Sequence, residues 1–432
     1  MTSLHGGLDE IRMAVSYLRR GMTGQATFSL FARELPPDRG FVVSAGLDEC
    51  LAFLEKFAFG EGELGYLRTE VGLTWADLEA LAPLRFEGEV WAAPEGRLMF
   101  AGEPLLEVTA ALPVAKLVGS ALLNFVSFSS AVATGAARCR IAAGGADLID
   151  FAAQRVHSAS TAHAVARSTA LAGFAGTTHL SAAREFGLRP VGTMDPSFVL
   201  AFGAEQPAFR AFAEDFPQGL GFLVDESDAT EGVRTLIEVV RTLGLAEDKV
   251  GLRLEAGNVL TASRQVRDLL DRAGLTHARI MAAGGLDEYE LAMLRDSGAP
   301  IDSFGVGTEG VLSADVPFLD CAYELVEYDG TPSRPGRIVP WAKQVHRTAS
   351  GEQDTLARRD EPVPAAHRAV LEPVMRNGRR VRGKHGLADA RMRFERDLRW
   401  LPRHARRLRE PEPVPVRYSD GLAEPVAQPG AG

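Results

Sequence analysis

Arg279-Ile280-Met281-Ala282-Ala283-Gly284-Gly285-Leu286-Asp287-Glu288-Tyr289-Glu290-Leu291 holds a whole strand-to-helix passage in one stretch. Its opening run has the compact apolar character of a strand buried on both faces, and the paired glycines end it. Asp287 and Glu290 then stand at capping-box spacing, with Leu286 and Leu291 at the two staple positions. Gly298 closes the helix. The same unit repeats to either side. Strands are predicted at Leu148–Phe151, Val191–Met194, Gly221–Asp225, Val250–Glu255 and Asp302–Gly307. One crossover carries Asp228 and Glu231 as its capping pair, Val233, Leu236, Ile237, Val240 and Leu243 on one face, and Gly244 as its stop. Another is expected to start at Thr261 and end at Gly274, with Val266, Leu269 and Leu270 inside. Repetition roughly every 20 to 40 residues from Leu148 to Gly310 predicts an α/β fold whose parallel sheet is a barrel or doubly wound.

The full chain of 432 residues gives a prior of two or three domains with ample apolar content for a large core. A formal charge of −10 argues against a nucleic-acid-binding surface covering the protein. Cys50, Cys139 and Cys321 are far apart and show no metal-ligand or paired spacing, as in a reduced cytoplasmic protein. The N-terminus has no signal-peptide pattern. The apolar run from Val114 to Val132 is broken by Lys116, Asn124 and serines, so no membrane span is expected.

Before the β/α rhythm, residues 1–111 read as an α/β domain: a helix around Ile11 to Leu18, a strand at Gln25–Ala32, and short strands between Phe86 and Val108. Long helices from Leu112 to about Ala143 lead into the barrel domain, drawn as 112–330. Residues 331–432 form a return to the first domain, loop-rich to about Pro364. The basic stretch Arg376 to Arg409 reads as a solvated helix face, and the tail from Glu410 reads as extended and partly disordered.

In a parallel barrel, functional residues gather where strands end. Those ends hold Arg155 and His157, then Asp225 and Asp228, then Glu255 with Asn258, then Gly284-Gly285, then Gly305-Val306-Gly307-Thr308. Glycines there let main-chain N–H groups turn toward an anion, so the two clusters together read as a phosphate cradle; each by itself also fits a tight turn. Asp225 and Glu255 end successive strands and suit ribose hydroxyls, Mg²⁺ or a developing cation. Asp228 is accounted for as a helix cap. Arg155 suits a carboxylate or pyrophosphate, or an interdomain ion pair. His157 and His179 fit hydrogen-bonded structural roles as well as catalytic ones.

Arg19-Arg20-Gly21-Met22, Leu35-Pro36-Pro37-Asp38-Arg39-Gly40-Phe41, Gly102-Glu103-Pro104-Leu105-Leu106, Gly173-Phe174-Ala175-Gly176-Thr177 and Gly298 through Thr308 together resemble the nicotinate phosphoribosyltransferase family. The resemblance extends to about Pro411. It implies an irregular β/α barrel plus an α/β domain assembled from both termini, in a homodimer with active sites at the subunit boundary. It also implies transfer of the phosphoribosyl group of phosphoribosyl pyrophosphate to nicotinate, with ATP hydrolysis coupled through a phosphorylated histidine. On that footing Arg155, Asp225 and Glu255 are the expected catalytic residues. His157, Thr177, His179, Asn258, Gly284, Gly285, Gly305, Gly307 and Thr308 are the expected substrate contacts. Mg²⁺ is expected to accompany phosphoribosyl pyrophosphate, with no protein metal centre.

The departures fall on catalytic positions. Pro196 stands where the family has its phosphorylated histidine, so ATP coupling by that route is not expected. Gln154-Arg155 replaces two arginines, Asp9 replaces a ring-stacking tyrosine, and His179 replaces an asparagine. Glu255-Ala256-Gly257-Asn258 lengthens one carboxylate and neutralises another. The reading is a phosphoribosyltransferase-like enzyme acting on nicotinate or a related small heterocycle without a phosphohistidine. Its rival is a catalytically impaired relative that binds a nucleotide or phosphosugar. No nucleic-acid or membrane partner is expected.

Overall fold

A computed structural model describes residues 4–217, 219–224, 229–255, 257–312, 315–316, 318–333, 338–381 and 386–427. Contacts divide the chain into two compact units, residues 135–317 and residues 1–134 with 318–432.

In the unit of residues 135–317 the strands are Asp147–Asp150, Gly176–Thr177, Arg189–Pro190, Leu220–Val224, Val250–Leu254, Arg279–Ala282 and Ser303–Val306. All their pairings are parallel, and the last strand lies beside the first, with Phe304 opposite Leu148. Sequential neighbours that return to their starting strand are the order of a β/α barrel, not of a doubly wound sheet. The interruption falls between Arg189–Pro190 and Leu220–Val224, where the Met194 N–H donates to the Gly221 carbonyl at 3.1 Å.

The strand expected at Val191–Met194 is therefore shifted. Only Arg189–Pro190 pairs as strand, and after the Val191 N–H reaches the Thr177 carbonyl at 3.0 Å the chain continues irregularly. Pro190 has no N–H and Gly192 no side chain, so neither sustains a ladder. Gly176–Thr177 is a strand too short to carry a periodic signal.

The crossovers largely form as their caps dictate. Asp287 Oδ1 accepts from the Tyr289 and Glu290 N–H groups, both at 2.8 Å, and starts the helix Glu288–Asp296 between buried Leu286 and Leu291. Asp287→Ala is expected to cost about 0.5–2 kcal/mol in urea unfolding; no measurable loss would mean the cap contributes nothing. The helix Ala229–Leu243 buries Val233, Leu236, Ile237 and Val240 against the sheet. Its expected cap, Asp228, lies outside the described residues. The helix expected to begin at Thr261 instead spans Val259–Arg272, because Asn258 caps it: Asn258 Oδ1 accepts the Thr261 N–H at 3.0 Å.

The other unit is built on an antiparallel sheet, in the order Thr331–Pro332, Cys321–Tyr328, Gln25–Ala32, Pro104–Ala111, Glu89–Ala92, Glu372–Arg376 and Arg379–Arg380. Both chain ends thus feed one sheet. The segment read as loop-rich contains the strands Lys343–Thr348 and Asp354–Arg358, which join His367–Ala369 and Val416–Tyr418 in a second sheet. The tail read as partly disordered carries Val416–Tyr418 and the helix Asp420–Ala427, anchored by fully buried Leu422. Nor is the basic stretch wholly a solvated face. Arg380 pairs with Asp48 and Glu55, and Arg393 donates to the Glu95 carbonyl.

All three cysteines are free and buried. Among the described residues one helix, Gly119–Ala143, is long and apolar enough to cross a membrane by length and composition, and 67% of its apolar window is buried inside the protein, as in a core helix.

Candidate functional site

The strand ends of the barrel unit gather a cluster around Arg253. On the strand Val250–Leu254 the burial alternates, with Val250, Leu252 and Leu254 packed toward the helices. Arg253 therefore faces inward. Its Nη1 donates to Thr193 Oγ1 at 2.8 Å and its Nη2 to Glu255 Oε1 at 2.6 Å. The guanidinium stands 5.6 Å from the centroid of the Phe151 ring, within cation–π reach. Two hydrogen bonds and a ring contact thus hold the guanidinium, yet Arg253 Nε is buried with no hydrogen-bond partner among the described residues. A buried unpaired donor on a cation is costly unless something completes it.

Across the mouth stand the two glycine clusters. Gly284 and Gly285 are consecutive residues with φ of +99° and +64°, a conformation that a side chain disfavours. Gly284 lies beside the Glu255 side chain: a Cβ there would be 3.8 Å from Glu255 Cγ. Next to Gly307, the Thr308 hydroxyl is buried without a partner among the described residues, a second unsatisfied polar group at the same mouth. A Cβ on Gly305 would meet the Phe151 ring and Ala283 Cβ at 3.1 and 3.2 Å, so this glycine makes room for Phe151.

Asp150 ties two loops of the mouth together. Its Oδ1 accepts the Ala152 N–H at 2.9 Å and its Oδ2 the Thr177 hydroxyl at 2.7 Å, while Thr177 Oγ1 accepts the His179 N–H at 3.0 Å. Burial pushes the Asp150 carboxyl above the ordinary range, against the lowering effect of these bonds. The Thr177 hydroxyl is consequently spent on the loop. His179 accepts or shares a proton with Ser181 Oγ at 3.1 Å and sits edge-on to His163, with ring centroids 5.9 Å apart.

Arg155 and His157 lie exposed on the loop after Asp147–Asp150. Neither is drawn into the Arg253 cluster. Asn258 is a helix cap, as described, which leaves Glu255 as the acidic member of its run at the mouth. Asp225 lies outside the described residues. Among the described residues no group of three or more His, Cys, Asp and Glu gathers as for a metal ion.

Pro196 opens the helix Pro196–Phe202 at its first position, with Asp195 Oδ1 accepting the Ser197 N–H at 2.9 Å. That is the usual place of a helix-starting proline. The bonds from Ser197 also hold the Asp195 carboxyl below its ordinary range. Beside Pro196 a cavity of about 310 Å³ is lined, among the described residues, by Val199, Leu200, Leu223 and Val224 with Glu205 and Glu255, and by no basic side chain.

Arg253, Phe151 and Thr193 were absent from the expected site. One signal was available: Arg253 is the lone charge inside an otherwise apolar strand, and such a residue needs partners.

The comparisons with known proteins agree with this architecture. Residues 4–127 match the N-terminal domain of nicotinate phosphoribosyltransferase and residues 352–425 its C-terminal domain. A nicotinate phosphoribosyltransferase of Mycobacterium tuberculosis is 40% identical, over 99% of this chain and 93% of that protein. The Bacillus subtilis nicotinate phosphoribosyltransferase is 34% identical, over 84% of this chain and 77% of its own. The crystal structure of human nicotinic acid phosphoribosyltransferase superposes with a TM-score of 0.86 at 25% identity, covering 98% of this chain and 99% of that one. Barrel strand order, an antiparallel domain built from both chain ends, and relatedness along nearly the whole length place the chain in the nicotinate phosphoribosyltransferase family, a family of pentosyltransferase enzymes.

Proposed function

We propose that this protein transfers the phosphoribosyl group of phosphoribosyl pyrophosphate to nicotinate or a related small heterocycle, without coupling to ATP through a phosphohistidine. One observation carries the reading: two polar groups at one mouth, Arg253 Nε and Thr308 Oγ1, are buried and unsatisfied. An acceptor carboxylate would complete Arg253, whose fork is already oriented by Thr193 and Glu255. Phosphoryl oxygens would be met by Thr308 and by amides of the Gly284-Gly285 and Gly307 turns. As pyrophosphate departs, the ribose carbon becomes cationic, and Glu255 is the described carboxylate placed to stabilise it. Asp225 is proposed to share that role. Arg155 and His157, exposed on their loop, are proposed to reach the pyrophosphate, with His179 and its Thr177-anchored backbone bounding the acceptor.

Mg²⁺ would arrive bound to the diphosphate and supply charge neutralisation of the leaving group. Glu255 faces it from the protein. The uncoupled character follows from Pro196, which cannot accept a phosphoryl group. The protein is further proposed to act as a homodimer in the reducing cytoplasm. Leu180, Leu200 and Phe202 are exposed on the barrel unit and suit a contact with a second copy.

The test mixes protein, phosphoribosyl pyrophosphate, Mg²⁺ and a panel of pyridine carboxylates, with and without ATP, and follows pyrophosphate. Release is expected at a rate that ATP leaves unchanged. A rate that rises with ATP would overturn the uncoupled reading. Pro196 also favours a second reading, a ligand-binding relative without turnover. That reading predicts saturable binding of phosphoribosyl pyrophosphate with no pyrophosphate released from any acceptor.

A further inference from the structure

Asp150 is fully buried at the end of an interior barrel strand, with Thr177 beside it in register on one side and Val306 on the other. No arginine or lysine pairs with it among the described residues. A buried carboxyl without a cation is costly, and an apolar side chain of similar size would fill the place with less penalty. Packing of the barrel therefore gives no reason for an acid here. Its hydrogen bonds do.

Those bonds fall on two short elements of the mouth. Gly176–Thr177 is a strand of two residues, shorter than a ladder ordinarily needs to fix its own place. The loop that carries Arg155 begins as a single 3₁₀ turn, Ala152–Gln154, with Arg155 as its C-cap. Asp150 Oδ1 accepts the first N–H of that turn, at Ala152, and Oδ2 accepts the Thr177 hydroxyl, whose oxygen in turn accepts the His179 N–H. The Asp150 carbonyl also accepts the Thr178 N–H at 3.0 Å. One residue thereby sets both loops. Its neighbour Phe151, held by its N–H on the Val306 carbonyl at 2.9 Å, carries the ring that meets the Arg253 guanidinium.

We propose that Asp150 is a positioning residue for the transfer: through Ala152 it presents Arg155 to the pyrophosphate, and through Thr177 it holds the His179 backbone at the acceptor. The assignment rests on the transfer reading above and adds to it the residue that aligns the two substrates with each other. Asp150 itself touches neither substrate.

The experiment measures kcat and KM separately for phosphoribosyl pyrophosphate and for the fastest acceptor of the pyridine carboxylate panel, following pyrophosphate with Mg²⁺ in variants shown by thermal melting to be folded. Asp150→Asn keeps the shape and an oxygen for the Ala152 N–H, but its amide nitrogen cannot accept the Thr177 proton. It is expected to raise the acceptor KM by about 10-fold, the scale of a hydrogen bond to a charged group, and to leave the KM for phosphoribosyl pyrophosphate within about 2-fold. Thr177→Val should do the same, and the double variant should be no worse than either alone, because both cut one bond. Asp150→Ala, which also releases the Ala152 N–H, is expected to raise both KM values; Asp150→Leu takes its place should the vacated space prevent folding. A merely structural role would lower the melting temperature and kcat with both KM values unchanged. That result in a folded variant overturns the proposal and leaves the transfer reading standing, as do additive effects of Asp150→Asn and Thr177→Val. Absence of pyrophosphate from the wild-type protein with every acceptor overturns the transfer reading and this assignment with it.

Discussion

Arg253→Ala is expected to lower kcat/KM for phosphoribosyl transfer by about 100-fold or more, the scale seen when one oriented donor is removed from a site shielded from water. The reasoning is geometric. Thr193 and Glu255 hold the guanidinium by its two terminal nitrogens, leaving the buried Nε as a donor with no partner among the described residues. Arg253→Lys should recover part of the loss, because an ammonium restores charge but not the planar fork. Steady-state kinetics with phosphoribosyl pyrophosphate and the best acceptor read the effect, and thermal melting separates it from misfolding. A folded Arg253→Ala protein with wild-type kcat/KM would show that the mouth cluster does not meet substrate.

The largest effect on stability is expected in the other unit, at Arg347. This side chain is fully buried and binds Asp354 through Nε and Nη2, at 2.9 and 2.6 Å, with Glu103 and Asp397 at 3.6 and 3.7 Å. It also lies 5.4 Å and 5.0 Å from the ring centroids of Phe100 and Trp400. Burial and the neighbouring Asp354 push the Glu103 carboxyl well above the ordinary range, while the surrounding acids raise Arg347 despite its desolvation. Asp397 keeps Arg97 at 2.9 Å, but truncating Arg347 takes the cation from buried Asp354 and Glu103, and breaking such a pair costs about 3–5 kcal/mol. Arg347→Ala should therefore unfold at much lower urea than wild type, and a loss below about 1 kcal/mol would show that the acids do not depend on it.

Arg347 also shows where reading along the chain stops. It lies in a stretch read as loop-rich, because strands Lys343–Thr348 and Asp354–Arg358 carry Lys, Gln, His, Arg and Asp where a strand pattern would have apolar residues. Arg347 pairs with Asp354, Lys343 with Glu107 and Gln344 with the Leu371 backbone, partners that lie on other segments and that periodicity does not register. The crossovers are the opposite case. Asp287, Leu286 and Leu291 act on backbone within a few residues, so their roles could be read locally, and the structure places them as expected. Asn258 and Thr261 mark the resolution of that reading: both residue types cap helices, and only the path of the chain out of Val250–Leu254 chose between them.

For the site, the contrast is sharper. That glycines and acids collect at strand ends follows from the β/α repeat, and the turn at Gly284-Gly285 beside Glu255 was legible in that way. The division of labour among them was not. Gly305 yields its space to Phe151, Thr177 spends its hydroxyl on Asp150, and Asn258 spends its side chain on a cap. Sequence alone determined the parallel β/α architecture, the capped crossovers and the family, since these rest on short-range periodicity and on motifs written in order. Tertiary structure alone decided that Arg253 is the centre of the mouth. Its partners Thr193 and Phe151 lie far away along the chain, and only the folded sheet brings them to it.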